Sequence, residues 1–166
     1  MNKKRILLID DEISFTRLLK LNLEQTAEYE VRVENWAEDA LAAARAFRPD
    51  LILLDVVMPR MVGGDVAALL RADDNLKTTP IVFFSAAVGK KWVQEHEGIV
   101  GNFPFIAKPA SVEEVIDRIE QHLIEAPSVT AAARVPHLIR LCSVRERPTT
   151  WPDRIISDPR ILEPLH

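Results

Sequence analysis

Three aspartates stand just past two short apolar runs, and their carboxylates are the first candidates for chemistry. Asp10 and Asp11 follow the run Ile6–Ile9, and Asp55 follows the run Leu51–Leu54. Four-residue apolar runs bounded by polar residues are typical of strands covered on both faces, as in parallel α/β sheets. Chemistry in such sheets gathers at the carboxyl ends of the strands. The two runs therefore predict an acidic site at one edge of a sheet.

Three converging carboxylates need a positive charge, because each pair repels by about 4 kcal/mol at an effective dielectric constant of about 20. Mg²⁺ binds through one or two carboxylates, several waters and substrate phosphate oxygens, which suits acidic ligands without a supporting His or Cys cluster. Each aspartate alone is also explained by a helix cap or a turn. All three at strand ends favour a Mg²⁺ site.

Two further strand ends carry polar residues of complementary chemistry. The apolar run Ile81–Phe84 stops at Ser85, and the segment Phe103–Ala107 stops at Lys108. A lysine ammonium at this edge can hold a phosphoryl oxygen or pair with an aspartate, and a serine hydroxyl can donate to another oxygen of the same group. Asp55 is then the candidate nucleophile, because a carboxylate can attack phosphorus to form an acyl phosphate. Taken singly, the serine fits a turn and the lysine a solvated surface charge.

The elements that position these residues alternate between strand-like and helix-like segments up to about residue 125. Alternation at these lengths is typical of βαβ units. It predicts an α/β fold, a doubly wound five-stranded parallel sheet with five helices and right-handed crossovers. The fourth of these helices is predicted over the mainly polar stretch Lys90–Glu97.

Local signals predict helix starts and buried helix faces. Asn35 with Glu38, and Ser111 with Glu114, have the spacing of capping boxes ahead of apolar stripes. In the first helix, four apolar residues near helical spacing are expected to face the core: Phe15, Leu18, Leu19 and Leu23.

The last 41 residues differ in character from the rest of the chain. Residues 126–166 contain six of the eleven prolines and no glycine, so regular structure should be sparse there. They carry six arginines and four acids, against fifteen bases and twenty-one acids in residues 1–125, which gives net charges of +2 and −6. We expect one domain over residues 1–125 and an irregular or flexible, Pro-rich extension over residues 126–166, shorter than a usual domain of about 50 residues or more.

Composition excludes several classes of protein. The net charge of −4 gives no general attraction to nucleic acid or to an anionic membrane. The single cysteine, Cys142, excludes an internal disulfide framework and a cysteine-rich metal site, which suits a reducing compartment. The basic start is followed by too few apolar residues for a signal peptide, and no segment approaches the roughly 20 apolar residues that span a bilayer. A cytoplasmic protein is expected.

On these residues the sequence resembles the receiver domain of two-component response regulators, over about residues 3–125. Single motifs would be weak, but their order and spacing together are specific. They are Asp10-Asp11, Asp55 within residues 51–59, Gly63, Ser85-Ala86 and Lys108-Pro109. The resemblance implies a flavodoxin-like sheet of order 2-1-3-4-5.

The resemblance also implies a role for each site residue. Asp55 would accept a phosphoryl group from a histidine kinase or a histidine phosphotransfer protein. Asp10 and Asp11 would hold Mg²⁺, directly or through water, together with Asp55 and the main-chain carbonyl of Val57. Lys108 would contact the phosphoryl group.

A conformational switch is implied by the same resemblance. Ser85 would move toward the phosphate and Phe105 would turn inward, although Phe105 is equally well explained as a plain core residue. The Lys108-Pro109 bond is commonly cis in the family, and X-Pro is where a cis bond costs little. Val57 and Ala87 would flank the phosphoryl group, and neither side chain can orient an attacking water. We therefore predict self-phosphorylation with slow self-dephosphorylation, rather than a turnover enzyme.

The extension over residues 126–166 is too short and too proline-rich for an output domain such as a DNA-binding helix-turn-helix. We thus expect a stand-alone receiver that signals through protein–protein contacts, with a partner surface over Lys90–Leu123 and no direct binding of nucleic acid or membrane.

One alternative is a Mg²⁺-dependent phosphohydrolase with an aspartyl nucleophile. Enzymes of the haloacid dehalogenase type carry a second Asp two residues after that nucleophile, where this chain has Val57. Another alternative is a receiver-like interaction module that is not phosphorylated.

Overall fold

The two apolar runs that precede the aspartates form neighbouring strands at the centre of one sheet. The structure is a computed structural model, and it describes residues 3–86, 99–100 and 103–125. The strands are β1 (Lys4–Ile9), β2 (Tyr29–Glu34), β3 (Leu51–Leu54), β4 (Ile81–Ser85), β5 (Ile99–Val100) and β6 (Phe103–Ala107). The helices are α1 (Ile13–Gln25), α2 (Ala40–Phe47, after a 3₁₀ turn over Ala37–Asp39), α3 (Gly63–Ala72) and α4 (Val112–Glu125).

The five longer strands are parallel and lie in the order β2-β1-β3-β4-β6, which confirms the predicted doubly wound sheet of order 2-1-3-4-5. The two-residue β5 pairs with the outer edge of β6 in the antiparallel sense, and the sequence did not predict it. The predicted helix over Lys90–Glu97 and the extension over residues 126–166 lie outside the described residues. Within the described part of the chain, four of the five predicted helices are present.

Every residue of β3 and the last four of β1 are buried, because helices cover both faces of the sheet. One cluster of buried side chains joins the sheet to α2 and α3, and a second cluster joins it to α1 and α4. Strands buried on both faces are apolar throughout rather than alternating. This is why the two short runs could be recognised as strands.

Two of the local predictions were wrong. Asn35 does not cap a helix, because its amide donates to the Asp10 carbonyl at 2.6 Å and to Thr16 Oγ1 at 3.1 Å. Glu38 pairs instead with Arg60 at 2.9 Å. In α1, Leu18 is 60% exposed, because it lies on the outer side of a helix whose inner side packs on the sheet.

The capping box at the start of α4 is confirmed. The Ser111 hydroxyl accepts from the Glu114 amide at 3.1 Å, and a Glu114 carboxylate oxygen accepts from the Ser111 amide at 2.8 Å. Both donors belong to the first turn, where a helix leaves backbone N–H groups without a partner. The box fixes where α4 begins after Lys108-Pro109.

Candidate functional site

Strand register brings the first and third strand ends together. Ile9 lies opposite Leu54 in the β1–β3 pair, so the next residues, Asp10 and Asp55, leave the sheet side by side. The Asp55 amide donates to the Ile9 carbonyl at 2.9 Å, which fixes the start of its loop. Asp10 is 1% exposed and Asp55 is 6% exposed. Two carboxylates are therefore buried at the carboxyl edge of the sheet.

The fourth and sixth strands bring Ser85 and Lys108 to the same edge. Ser85 lies opposite Ala107, and the Lys108 amide donates to the Ser85 carbonyl at 3.0 Å. The Lys108 ammonium forms an ion pair with Asp10 Oδ2 and lies 3.5 Å from Asp55 Oδ1. Its side chain is only 14% exposed. The lysine is thus a partner of both buried carboxylates.

The surroundings of the Asp55 carboxylate include some that raise its pKa and some that lower it. Burial raises the pKa of Asp55 above its ordinary value, and the charge of Asp10 adds to this. A hydrogen bond from Ser85, the charge of Lys108 and the amide of Val57, which donates to Oδ2 at 3.0 Å, act in the opposite direction. Burial has the largest effect, so the ionised form of Asp55 is less stable than that of an aspartate in water, and a further cation can stabilise it.

Gly63 fixes the loop that follows Asp55. A Cβ at this position would collide with the Asp55 carbonyl oxygen and would come within 2.9 Å of the Val56 Cα. The Gly63 amide donates to the Val56 carbonyl at 2.9 Å. Only glycine allows this close approach of α3 to the site.

Asp11 does not join the other two aspartates. Its side chain is exposed and lines a neighbouring cleft of about 230 Å³, together with residues that include Trp36, Met58 and Arg60. Asp11 lies in the bend that follows β1, where Asp10 Oδ1 accepts the Glu12 amide at 2.9 Å. The expectation of three converging carboxylates holds for two of them.

The residues expected to form the switch are placed as follows. Ser85 and Phe105 are each 1% exposed, and the Phe105 ring stacks on Phe83 with 5.7 Å between centroids. The Lys108-Pro109 bond is cis, as predicted. Val57 is 59% exposed beside Asp55, and Ala87 lies outside the described residues.

Sequence reasoning missed two aromatic neighbours of Lys108. Its Nζ lies 4.5 Å from the centroid of the Phe15 ring and 5.5 Å from that of the Phe84 ring. Phe15 was expected only in the core, and Phe84 only in a strand. The signal that was available is position, since Phe84 directly precedes Ser85 and Phe15 lies in the first turn after the Asp10 loop.

The donor groups fit Mg²⁺ better than a softer metal. Two buried carboxylates face one ammonium, so negative charge is in excess, and the candidate ligands are all oxygens. No group of three His, Cys, Asp or Glu side chains suited to a metal occurs among the residues that the structure describes. An ion that keeps most of its water and needs only one or two carboxylates matches this arrangement.

The fold and the site together define a class of protein. A parallel sheet of this order, with buried aspartates, a serine and a lysine at its carboxyl edge, is the architecture of a receiver domain. The chain belongs to the response regulator receiver domain family, which matches residues 6–120.

Individual relatives place the chain within this family. DivK of Brucella anthropi, a polar-differentiation response regulator, is 32% identical over 123 residues, which cover 74% of this chain and 98% of that protein. The probable transcriptional regulator ycf27 of Pyropia yezoensis is 33% identical over 135 residues, which cover 81% and 54%. The DNA-binding response regulator MtrA of Mycobacterium tuberculosis is 34% identical over 122 residues, which cover 73% and 51%. The chain thus spans about half the length of the last two relatives.

Solved structures show the same fold. The chemotaxis protein CheY4 of Vibrio cholerae is 30% identical, with a TM-score of 0.62 over 72% of this chain and 98% of that one. A sensor protein from Polaromonas sp. is 21% identical, with a TM-score of 0.64 over 76% and 100%, and this likeness concerns the fold alone. Among the described helices, none has the length and apolar character needed to cross a membrane.

Proposed function

We propose that this chain is a phosphoacceptor receiver, in which Asp55 takes a phosphoryl group from a histidine kinase or a histidine phosphotransfer protein. Membership of the receiver family supports the proposal. The observation that carries it is the place of Lys108, which pairs with Asp10 and lies 3.5 Å from Asp55 Oδ1. A cation fixed beside a buried carboxylate can stabilise the charge of a phosphoryl group as it arrives.

Both buried aspartates accept hydrogen bonds, and their exposure favours Asp55 over Asp10 as the acceptor. Asp10 Oδ1 accepts the Glu12 amide at 2.9 Å, and its Oδ2 pairs with Lys108. Asp55 is the more exposed of the two, at 6% against 1%, and its neighbour Val57 is 59% exposed. A phosphodonor therefore reaches Asp55 more readily than Asp10.

The proposed step is a transfer between nitrogen and oxygen. A carboxylate oxygen of Asp55 forms a bond to phosphorus while the bond from phosphorus to the donor's imidazole nitrogen breaks. The imidazole leaves with the bonding electron pair. Lys108 offsets the phosphoryl charge, and the Ser85 hydroxyl donates to a phosphoryl oxygen.

Mg²⁺ would be held by Asp10, Asp55 and the main-chain carbonyl of Val57, with exposed Asp11 acting through water. When bound, such an ion neutralises phosphoryl oxygens and orients them. The chain's own residues then have separate tasks. Asp55 is the nucleophile, Lys108 the charge partner and Ser85 the hydrogen-bond donor.

The acyl phosphate is proposed to decay slowly. The exposed Val57 side chain cannot orient a water for attack on phosphorus, and Ala87, outside the described residues, has no polar group either. The chain would act as a switch or a relay that keeps its phosphoryl group, and not as a turnover enzyme.

Output is proposed to occur through protein contacts over Lys90–Leu123, of which residues 99–100 and 103–123 are described. The match with DivK covers 98% of that regulator, so the family includes a response regulator that is little longer than the matched region. The name of MtrA describes it as DNA-binding, and we do not extend that property to this chain.

The test of the proposed function is incubation with Mg²⁺ and acetyl phosphate, followed by intact mass. The wild type should gain one phosphoryl group, and Asp55→Asn should gain none. Asp74→Asn is the matched control, since Asp74 is a 92% exposed acid on the α3–β4 connection. An adduct that persists in Asp55→Asn would overturn the assignment. Release of phosphate from small phosphoesters by the wild type would instead favour the phosphohydrolase alternative.

A further inference from the structure

Lys108 has a long, flexible side chain, yet its ammonium has a defined place. Its partners in the site are Asp10 and Asp55, and its other neighbours are the Phe15 and Phe84 rings, which we call the aromatic pair. Both rings lie within the range of about 6 Å over which a cation is attracted to a ring face. The ammonium is therefore bounded by carboxylates and by aromatic rings.

The aromatic pair is packed against the core. Phe84 is 1% exposed on β4, and Phe15 is partly buried in the first turn of α1. Their rings meet edge to face, with centroids 5.3 Å apart and planes at 61°. Both belong to the cluster that joins the sheet to α1 and α4. Because the core fixes the two rings, they can fix a flexible side chain that lies on them.

We propose that the aromatic pair is a positioning device that keeps the Lys108 ammonium beside Asp55. A lysine stem has many accessible rotamers and would otherwise carry its charge toward water. The ring attraction does not depend on Asp10, so the ammonium keeps its place when the Asp10 oxygens serve another ligand. This inference rests on the proposed phosphoacceptor function, and Phe15 and Phe84 act through Lys108 rather than on the phosphoryl group.

The experiment compares Phe15→Leu and Phe84→Leu with Phe47→Leu. Phe47, partly buried in the cluster on the α2 and α3 side, is the matched control for loss of a ring. The first measurement is the rate of reductive methylation of Lys108 without divalent ions, by peptide mass spectrometry, with half-exposed Lys20 as internal reference. The second is the rate of phosphoryl uptake from acetyl phosphate with Mg²⁺.

Loss of either ring should raise the methylation rate of Lys108 about ten-fold relative to Lys20, and should slow phosphoryl uptake by a similar factor. Phe47→Leu should change neither ratio, and Phe15→Tyr should keep both near wild type because it retains the ring face. Thermal unfolding identifies variants that are not folded. If Phe84→Leu is among them, Phe15→Leu decides, since Phe15 lies at the edge of the core.

The proposal would be overturned if Lys108 were methylated no faster in a folded Phe15→Leu variant than in Phe47→Leu. So would faster methylation with unchanged phosphoryl uptake, because the rings would then not position the lysine for transfer. If the wild type takes up no phosphoryl group, the phosphoacceptor function fails, while the methylation rates still show whether the rings hold the ammonium.

Discussion

Lys108 and Asp10 form an ion pair across 98 residues of sequence, at the carboxyl edge of the sheet. The pair joins the end of β6 to the end of β1, although β3 and β4 lie between these strands. The loops that follow the strands bring the two side chains together, and the Lys108 Nζ lies 5.5 Å from the centroid of the Phe84 ring on β4 and 3.5 Å from Asp55 Oδ1 at the end of β3. The pair thus places one positive charge beside both buried carboxylates.

Gly63→Ala should destabilise the protein and slow phosphoryl uptake. The added Cβ would collide with the Asp55 carbonyl oxygen, so the loop after β3 has to shift, at a cost of about 1–3 kcal/mol. Gly64→Ala, one residue further into α3, is the control and should be neutral or stabilising by up to about 1 kcal/mol. Urea unfolding and acetyl phosphate labelling measure the two effects. Equal stability of the two variants would contradict the close approach.

Val57→Asn should shorten the lifetime of the acyl phosphate. An amide at this exposed position beside Asp55 can orient a water for attack, which the valine cannot. Val57→Ala is the matched control, because it removes bulk without adding a hydrogen-bonding group. Loss of phosphoryl label over time is the measurement. A wild type that already decays as fast as Val57→Asn would show that Val57 does not set the lifetime.

Tyr29 should ionise only at strongly alkaline pH. Burial, followed by the charges of Glu120 and Glu28, raises the pKa of Tyr29 from 10.0 to about 12. It is the only tyrosine of the chain, so the ultraviolet band of tyrosinate reports on it alone. Glu120→Gln should lower the midpoint of this titration. A wild-type midpoint near 10 would contradict the buried environment.

The same shift gives stability a pH dependence. A folded-state pKa above the unfolded value means that folding favours the protonated Tyr29. The contribution of Tyr29 to the free energy of unfolding is therefore complete below pH 10 and is lost between pH 10 and about 12. Tyr29→Phe should remove this part of the alkaline loss. The free energy of unfolding in urea, measured at several pH values, tests it.

Arg45→Met should destabilise the protein at neutral pH and much less in acid. The hydrogen bond from Arg45 Nε to Asp73 Oδ2, at 2.7 Å, and the amide of Asn75 lower the pKa of Asp73 below 3.8. For a lowered pKa, the stabilisation is present above pH 3.8 and is lost as pH falls through the folded-state pKa.

The exposed pair of Lys77 and Asp74 provides the comparison for this prediction. Lys77→Met should have little effect at any pH, because pairs between exposed side chains contribute little. Chemical unfolding at neutral pH and in acid measures both variants. A loss in Arg45→Met that is equally large in acid would mean that Asp73 is not the partner that matters.

Much of the fold could be predicted because its signals are local. The runs Ile6–Ile9 and Leu51–Leu54 are buried on both faces, and such strands are apolar at every position. The capping box of Ser111 and Glu114 involves residues three apart, so it is visible in the sequence. Asn35 and Glu38 have the same spacing, but long-range partners, Asp10, Thr16 and Arg60, take their side chains.

By itself, the sequence determined which residues stand at the strand ends: Asp10, Asp55, Ser85 and Lys108. Strand ends follow from local apolar patterns, and the carboxyl ends of parallel strands lie at one edge. Only the tertiary structure decided that Asp11 is exposed, that Lys108 pairs with Asp10 and that Phe15 and Phe84 lie under its ammonium. These contacts depend on strand order, register and helix packing, which bring together residues far apart in the chain and leave no local signal in the sequence.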